Sequence, residues 1–82
     1  MIRIYGSMLC KDCVQCCKEL DEAKEPYEFL DFSEELGNLK TFLSIRDREP
    51  IFDSARKEGY IGIPCIVEED GTVSLDWKEV MM

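Results

Sequence analysis

The chain has 82 residues, which is enough for one small domain but not for two separate hydrophobic cores. Its 18 acidic and 10 basic residues give a net charge of −8, which argues against nucleic acid and anionic membranes as partners, because both attract clustered lysine and arginine. No apolar run approaches the roughly 20 residues of a membrane-spanning helix, and the apolar start is too short for a signal peptide. We therefore expect a single cytoplasmic domain over residues 1–82, monomeric, with no nucleic acid and no membrane as a partner.

Strand and helix patterns alternate through the first half of the chain. Ile2 and Ile4 alternate with more polar neighbours up to Gly6, which is the period of a strand. Residues 12–24 then change to a helical period, which places four apolar side chains on one face: Cys13, Val14, Cys17 and Leu20. A second strand is predicted over 27–32.

The second half continues with helices and closes with a hairpin. Ser33 is predicted to cap the next helix, which ends near Arg46. The apolar stripe of that helix is formed by Leu36, Leu39, Phe42 and Leu43. After a break at 47–50, the predicted elements are a short helix stopped by Gly59, strands over 61–69 and 72–77 joined by a turn at Asp70–Gly71, and about one helical turn over 78–82.

This order of elements predicts an α/β fold. Strands separated by helices pair in parallel through right-handed crossovers, whereas the closing hairpin must add an antiparallel pair. We therefore expect a four-stranded mixed sheet flanked by helices, with a truncated C-terminal helix.

Four of the five cysteines fall within "CKDCVQCC", residues 10 to 17. The odd total argues against a fully paired disulfide scaffold, and a reducing cytosol favours redox-active or metal-binding thiols. Cys10 and Cys13 directly follow the first strand and open the first helix, where free N–H groups and the helix dipole favour a thiolate. Lys11 adds positive charge nearby. We interpret Cys10 as an exposed nucleophile and Cys13, one turn further in, as the resolving thiol of a thiol–disulfide exchange.

The other three cysteines keep an alternative open. Cys16 and Cys17 are both predicted to be core residues, with Cys16 near the edge of the buried face and half exposed there, whereas Cys65 is either a core residue or a functional third thiol. Because zinc takes four ligands in a tetrahedron, Cys10, Cys13, Cys65 and one of Cys16 or Cys17 also form a candidate zinc or iron–sulfur set. The alternative function is a non-catalytic metal-binding or redox-sensing module. The chain has no histidine, which removes the serine and cysteine hydrolase triads.

The stretches "IRIYGSMLCKDC" and "GIPCIVEEDGTVSLD" resemble the glutaredoxins of the thioredoxin-like superfamily, most specifically at Cys10, Cys13 and Pro64. The resemblance implies a thioredoxin-like fold of the glutaredoxin type and a cis Ile63–Pro64 peptide bond packed against the cysteine pair. It also implies that Ile63 offers backbone hydrogen bonds to the cysteinyl part of a substrate. The implied enzyme reduces protein disulfides or glutathione mixed disulfides without a required cofactor, with glutathione as one candidate reductant.

Several positions depart from the family pattern. Lys11 and Asp12 stand where glutaredoxins usually have Pro-Tyr, and Ser7 stands where the family commonly has a lysine that helps to hold glutathione. Asp76 is the one remnant of the acidic motif that holds the glutamyl end of glutathione. Arg46 either binds a substrate carboxylate or pairs with neighbouring acids at the surface. The candidate substrate-binding residues are Lys11, Arg46, Ile63, Pro64, Cys65 and Asp76.

Overall fold

The computed structural model describes residues 1–81 as a small α/β domain. Its elements, in chain order, are β1 (Ile2–Gly6), α1 (Lys11–Glu22), β2 (Tyr27–Asp31), α2 (Leu36–Arg48), a 3₁₀ turn (Pro50–Phe52), α3 (Asp53–Glu58), β3 (Cys65–Val67), β4 (Val73–Ser74) and α4 (Trp77–Met81). This order agrees with the predicted one, although Met82, the end of the predicted last turn, lies outside the described residues. None of the helices within 1–81 has the length and apolar character needed to cross a bilayer.

The four strands form one mixed sheet in the order β2-β1-β3-β4, which confirms the predicted sheet. β1 and β2 are parallel, whereas β3 pairs antiparallel with both β1 and β4. The register places Tyr5 opposite Cys65. Consequently the end of β1, which leads into α1, and the start of β3, which follows Pro64, meet at the same edge of the sheet.

The sheet is buried on both faces, because alternate residues of β1 and β3 enter two separate cores. On one face the buried side chains are Ile4, Cys16, Leu20 and Ile66. On the other face they are Tyr5, Phe42, Ile45, Phe52, Ala55, Cys65 and Val67. α1 therefore covers one face, and α2 and α3 cover the other.

α1 buries a different set of side chains from the one its spacing predicted. Cys13, Cys17 and Leu20 are buried as expected. Cys16 is fully buried, which confirms that it is a core residue, although half exposure was expected at the edge of the face. Val14 is 46% exposed although it was assigned to the buried face. The helix is rotated so that Cys16, and not Val14, faces the sheet.

α2 begins later than predicted, because Ser33, the expected N-cap, is hydrogen-bonded to Asp31 at the end of β2. The Ser33 N–H donates to Asp31 Oδ1 at 2.9 Å, which forms a turn, and the helix starts only at Leu36 and continues to Arg48. Ser33 is therefore not the N-cap. Leu36 and Leu43 are exposed, so the predicted apolar stripe is wrong at those two positions.

The chain turns sharply before it enters β3. α3 ends as predicted at Gly59, whose φ of 84° is left-handed. Gly62 also has a positive φ, 88°, and a β-carbon there would lie 2.7 Å from Phe52 Cε1. The Ile63–Pro64 peptide bond is cis, in agreement with the resemblance. β3 starts only after Pro64 and is shorter than the predicted strand, since proline has no N–H for a ladder hydrogen bond.

Replacing Gly62 by alanine is expected to lower the free energy of unfolding by about 2–4 kcal/mol, because the methyl group would overlap the Phe52 ring and the backbone would stay left-handed. Urea denaturation followed by circular dichroism measures the change. Gly37→Ala is the matched control, because nothing outside its own helix lies within 4 Å of the added carbon, and it should raise stability by up to about 1 kcal/mol. Wild-type stability of the Gly62 variant would contradict this packing.

Candidate active site

Cys10 occupies the N-cap position of α1 and is half-buried. Its N–H donates to the Ser7 carbonyl at 3.0 Å, and its own carbonyl accepts from the Val14 N–H at 3.1 Å. The remaining free N–H groups of the first helical turn can donate to a negatively charged sulfur at this position. Cys10 therefore lies at the predicted helix start, but it is half-buried and not exposed as predicted.

Cys13 lies one turn further along α1 and is fully buried. Its sulfur approaches the end of β1 so closely that a β-carbon at Gly6 would lie 2.6 Å from it. Burial raises the pKa of the Cys13 thiol to about 12, and the hydrogen bond and charge of Cys10 add to the rise, whereas a hydrogen bond with the Ser7 backbone opposes it. The two thiols of the pair are thus in contact but differ in exposure, as predicted.

A serine–aspartate network, which sequence reasoning missed, holds the segment just before Cys10. Ser7 Oγ accepts from the Leu9 N–H at 3.1 Å and hydrogen-bonds to Ser33 Oγ at 3.0 Å. Ser33 Oγ in turn donates to Asp31 Oδ1 at 2.5 Å, which lowers the pKa of that carboxyl group. Because Ser7 is buried and fully used in this network, the end of β2 fixes the approach to the cysteine pair. The one signal of this network in the sequence is the small polar side chain at position 7.

Cys10 opens onto a groove of about 880 Å³ between the start of α1 and the loop before β3. Its apolar lining residues are Leu9, Phe32, Tyr60, Ile61, Ile63 and Leu75. Apart from Ile63, sequence reasoning assigned none of these to the site, since they come from separate segments that only the fold brings together. The arrangement can expose one sulfur to a bound partner while the second sulfur stays covered.

The three residues around the cis peptide bond have different surroundings. Ile63 lines the groove, and Pro64 is buried beside the end of β1. Cys65 is fully buried in the core that α2 and α3 cover, on the face opposite α1. Of the two roles left open for Cys65, the structure supports that of a core residue.

Three polar residues predicted to bind substrate do not line this groove. Lys11 is exposed on α1. Asp76 caps α4, where its Oδ1 accepts from the Lys78 N–H at 2.9 Å. The Arg46 guanidinium instead donates to three main-chain carbonyl groups, those of Ile61 (3.0 Å), Tyr60 (2.8 Å) and Ala55 (3.4 Å).

The tetrahedral cysteine set considered for a metal is not assembled. Cys16 packs beneath α1, and Cys65 packs on the other face of the sheet. Within residues 1–81, no three or more Cys, Asp or Glu side chains converge in a way suited to a metal ion.

The fold and the site define an α/β domain with a cysteine pair at a helix start beside its mixed sheet. The chain is 36% identical over 77 residues to an uncharacterized protein of Haemophilus influenzae, and the match covers 94% of this chain and 90% of that protein. The chain belongs to the same family as this Haemophilus influenzae protein. No family model and no solved structure matches this chain.

Alkylation of the reduced protein at pH 7.5 should modify Cys10 first. A pKa of about 12 in place of 9.0 lowers the thiolate population of Cys13 about 1,000-fold. This corresponds to a rate lower by roughly 30- to 60-fold once the greater nucleophilicity of a more basic thiolate is included, before steric shielding. Iodoacetamide labelling with peptide mass spectrometry measures the rates. In guanidinium chloride all five cysteines should react at similar rates, and faster labelling of Cys13 than Cys10 in the native protein would contradict the assignment.

Arg46→Gln is expected to lower the free energy of unfolding by about 1–3 kcal/mol, because the groove wall at 60–61 loses its charged hydrogen-bond donor. Arg48→Gln is the matched control. Within the described part of the chain, the Arg48 guanidinium has polar contacts only with Ser44 Oγ at 3.4 Å and Glu49 at 3.7 Å, so its loss should change stability by less than about 0.5 kcal/mol. Equal effects in urea denaturation would show that Arg46 does not hold the wall.

Proposed function

We propose that this protein is a glutaredoxin-like thiol–disulfide oxidoreductase, with Cys10 as the nucleophile and Cys13 as the resolving thiol. One observation carries the proposal: the half-buried Cys10 at the N-terminus of a 12-residue helix lines a groove, and the fully buried Cys13 lies one turn behind it. Exchange needs this asymmetry, because only the first sulfur should meet the substrate.

The topology supports a thioredoxin-like assignment of the glutaredoxin type. β1 leads directly into the helix with the cysteine pair, and β3 follows Pro64. Because β1 and β3 are antiparallel neighbours, the cysteine pair and the proline loop lie at one edge of the sheet. This is the juxtaposition that the resemblance implies.

The reaction conserves thiols and electrons in two exchanges. The Cys10 thiolate attacks one sulfur of a substrate disulfide, so a mixed disulfide forms and the other substrate sulfur leaves as a thiolate. The Cys13 thiol then loses its proton and attacks the Cys10 sulfur, which releases the second substrate thiolate. The substrate has gained two electrons, and the protein holds a Cys10–Cys13 disulfide. A thiol or dithiol reductant must reduce this disulfide before the next cycle.

The raised pKa of Cys13 is compatible with the second exchange. Burial is its main cause, but Cys10 itself contributes through a hydrogen bond and through its charge. Both contributions from Cys10 disappear once that sulfur is bonded to the substrate. The pKa of Cys13 therefore falls in the mixed disulfide, and release should become faster as the pH rises towards that lower value.

Single-turnover assays with the two serine variants test the roles. Reduced wild-type protein mixed at pH 8 with a small neutral disulfide, bis(2-hydroxyethyl) disulfide, should release two thiols per disulfide and end with an internal disulfide. Cys13→Ser should release one thiol and retain the other half on Cys10, visible by mass spectrometry. Cys10→Ser should react more than about 100-fold more slowly.

Cys17→Ala is the matched control, because Cys17 lies on the same helix but does not line the groove, and its rate should equal that of the wild type. Circular dichroism verifies that each variant is folded. A wild-type rate for Cys10→Ser would refute the proposed function.

A further inference from the structure

The groove next to Cys10 has more apolar surface than the cysteine side chain of a substrate could cover. Leu9 is 89% exposed at its rim, and Tyr60 and Ile61 are each about half exposed on the opposite wall. Exposed apolar surface that lines one groove marks a site for an apolar partner. A substrate that brought only a cysteine to the sulfur would leave this surface uncovered.

The charge of the groove is the second observation. Among the residues that the structure describes, Asp12 is the one charged residue in the groove lining, and the chain as a whole has a net charge of −8. Glutathione carries two carboxylates and one ammonium group at neutral pH. The described lining has a carboxylate and no cation, so it provides no countercharge for the carboxylates of glutathione and repels them.

The two cations predicted to bind substrate are not available to the carboxylates of glutathione in the groove. Arg46 donates to main-chain carbonyls of the wall, and Lys11 is not among the lining residues. At position 7, a buried serine takes part in the Asp31 network. The groove is therefore apolar and acidic because of how the fold uses these side chains.

The main chain beside Cys10 can pair with an extended segment. Neither the N–H nor the C=O of Ile63 has a hydrogen-bond partner among the residues that the structure describes. An extended peptide gains affinity from main-chain hydrogen bonds and specificity from side-chain pockets. Ile63 combines both features, since its side chain lines the same groove.

On the basis of the proposed function, we infer that the substrate is a protein disulfide in an extended segment whose neighbouring side chains are apolar and neutral or basic. The apolar walls contact those neighbours, the Ile63 main chain pairs with the segment, and Asp12 favours a lysine or arginine over an acidic residue. Glutathione disulfide is a poor substrate for the same reasons.

Rate constants for the reduction of defined disulfides test this inference. The probes are glutathione disulfide, bis(2-hydroxyethyl) disulfide and the disulfide dimers of three synthetic peptides. In the first peptide the cysteine is flanked by leucine and lysine, and in the second by leucine and glutamate. The third is the first peptide with serine in place of leucine. The leucine–lysine peptide should react at least about 10-fold faster than glutathione disulfide and the serine peptide. It should react about 3- to 10-fold faster than the leucine–glutamate peptide, and 0.5 M NaCl should reduce that last ratio.

Variants connect the preference with the groove. Asp12→Lys should reverse the order of the lysine and glutamate peptides, and Leu9→Ser should reduce the ratio of leucine to serine peptides. Leu36→Ser is the matched control, because Leu36 is also an exposed leucine but lies outside the groove, and it should change neither ratio.

The outcomes separate this inference from the proposed function. If the small neutral disulfide reacts but glutathione disulfide is reduced as fast as the leucine–lysine peptide, the substrate class is wrong and the oxidoreductase remains. If no disulfide reacts with the reduced protein, the proposed function fails and the substrate class fails with it.

Discussion

The close contact between Gly6 at the end of β1 and the Cys13 sulfur sets how α1 packs against the sheet. A side chain at Gly6 would lie 2.6 Å from that sulfur, so glycine allows the helix to begin directly beside the strand end. β3 runs antiparallel to β1, and this pairing brings Pro64 to the same place. The sheet itself therefore positions the cysteine pair and the proline loop relative to each other.

Burial divides five chemically identical thiols into different roles. Cys16 and Cys65 are enclosed in the two cores, and desolvation raises the pKa of each to about 12. They therefore behave as small neutral packing residues at physiological pH. Cys10 differs because it lies at the helix start, half-buried and beside the groove. The cysteines thus fall into two environments: Cys16 and Cys65 are enclosed in the cores on the two faces of the sheet, whereas Cys10 is only half-buried at the N-cap of α1.

The features that were predicted correctly depend on local physics. The alternation in β1 and the hairpin turn at Asp70–Gly71, where the Gly71 N–H donates to the Glu68 carbonyl, need only neighbouring residues. The predictions are wrong where a distant or competing group determines the hydrogen bonds or the packing of a residue. Ser33 has the chemistry of a helix cap, but the Asp31 carboxylate accepts its N–H and hydroxyl instead. The groove was not predictable, because its walls come from segments whose approach depends on tertiary contacts.

The long segment between α2 and β3 forms one wall of that groove and binds the guanidinium group of Arg46 through its main-chain carbonyls. Its 3₁₀ turn and α3 carry Phe52 and Ala55 into the core, and Phe52 packs tightly against Gly62. Arg46 holds the carbonyls of residues 55, 60 and 61 from the side. The wall is therefore fixed from two directions, and the guanidinium group that fixes it is no longer free to bind a carboxylate. The same extended segment thus builds an apolar wall and removes the cation that an anionic small-molecule thiol would require.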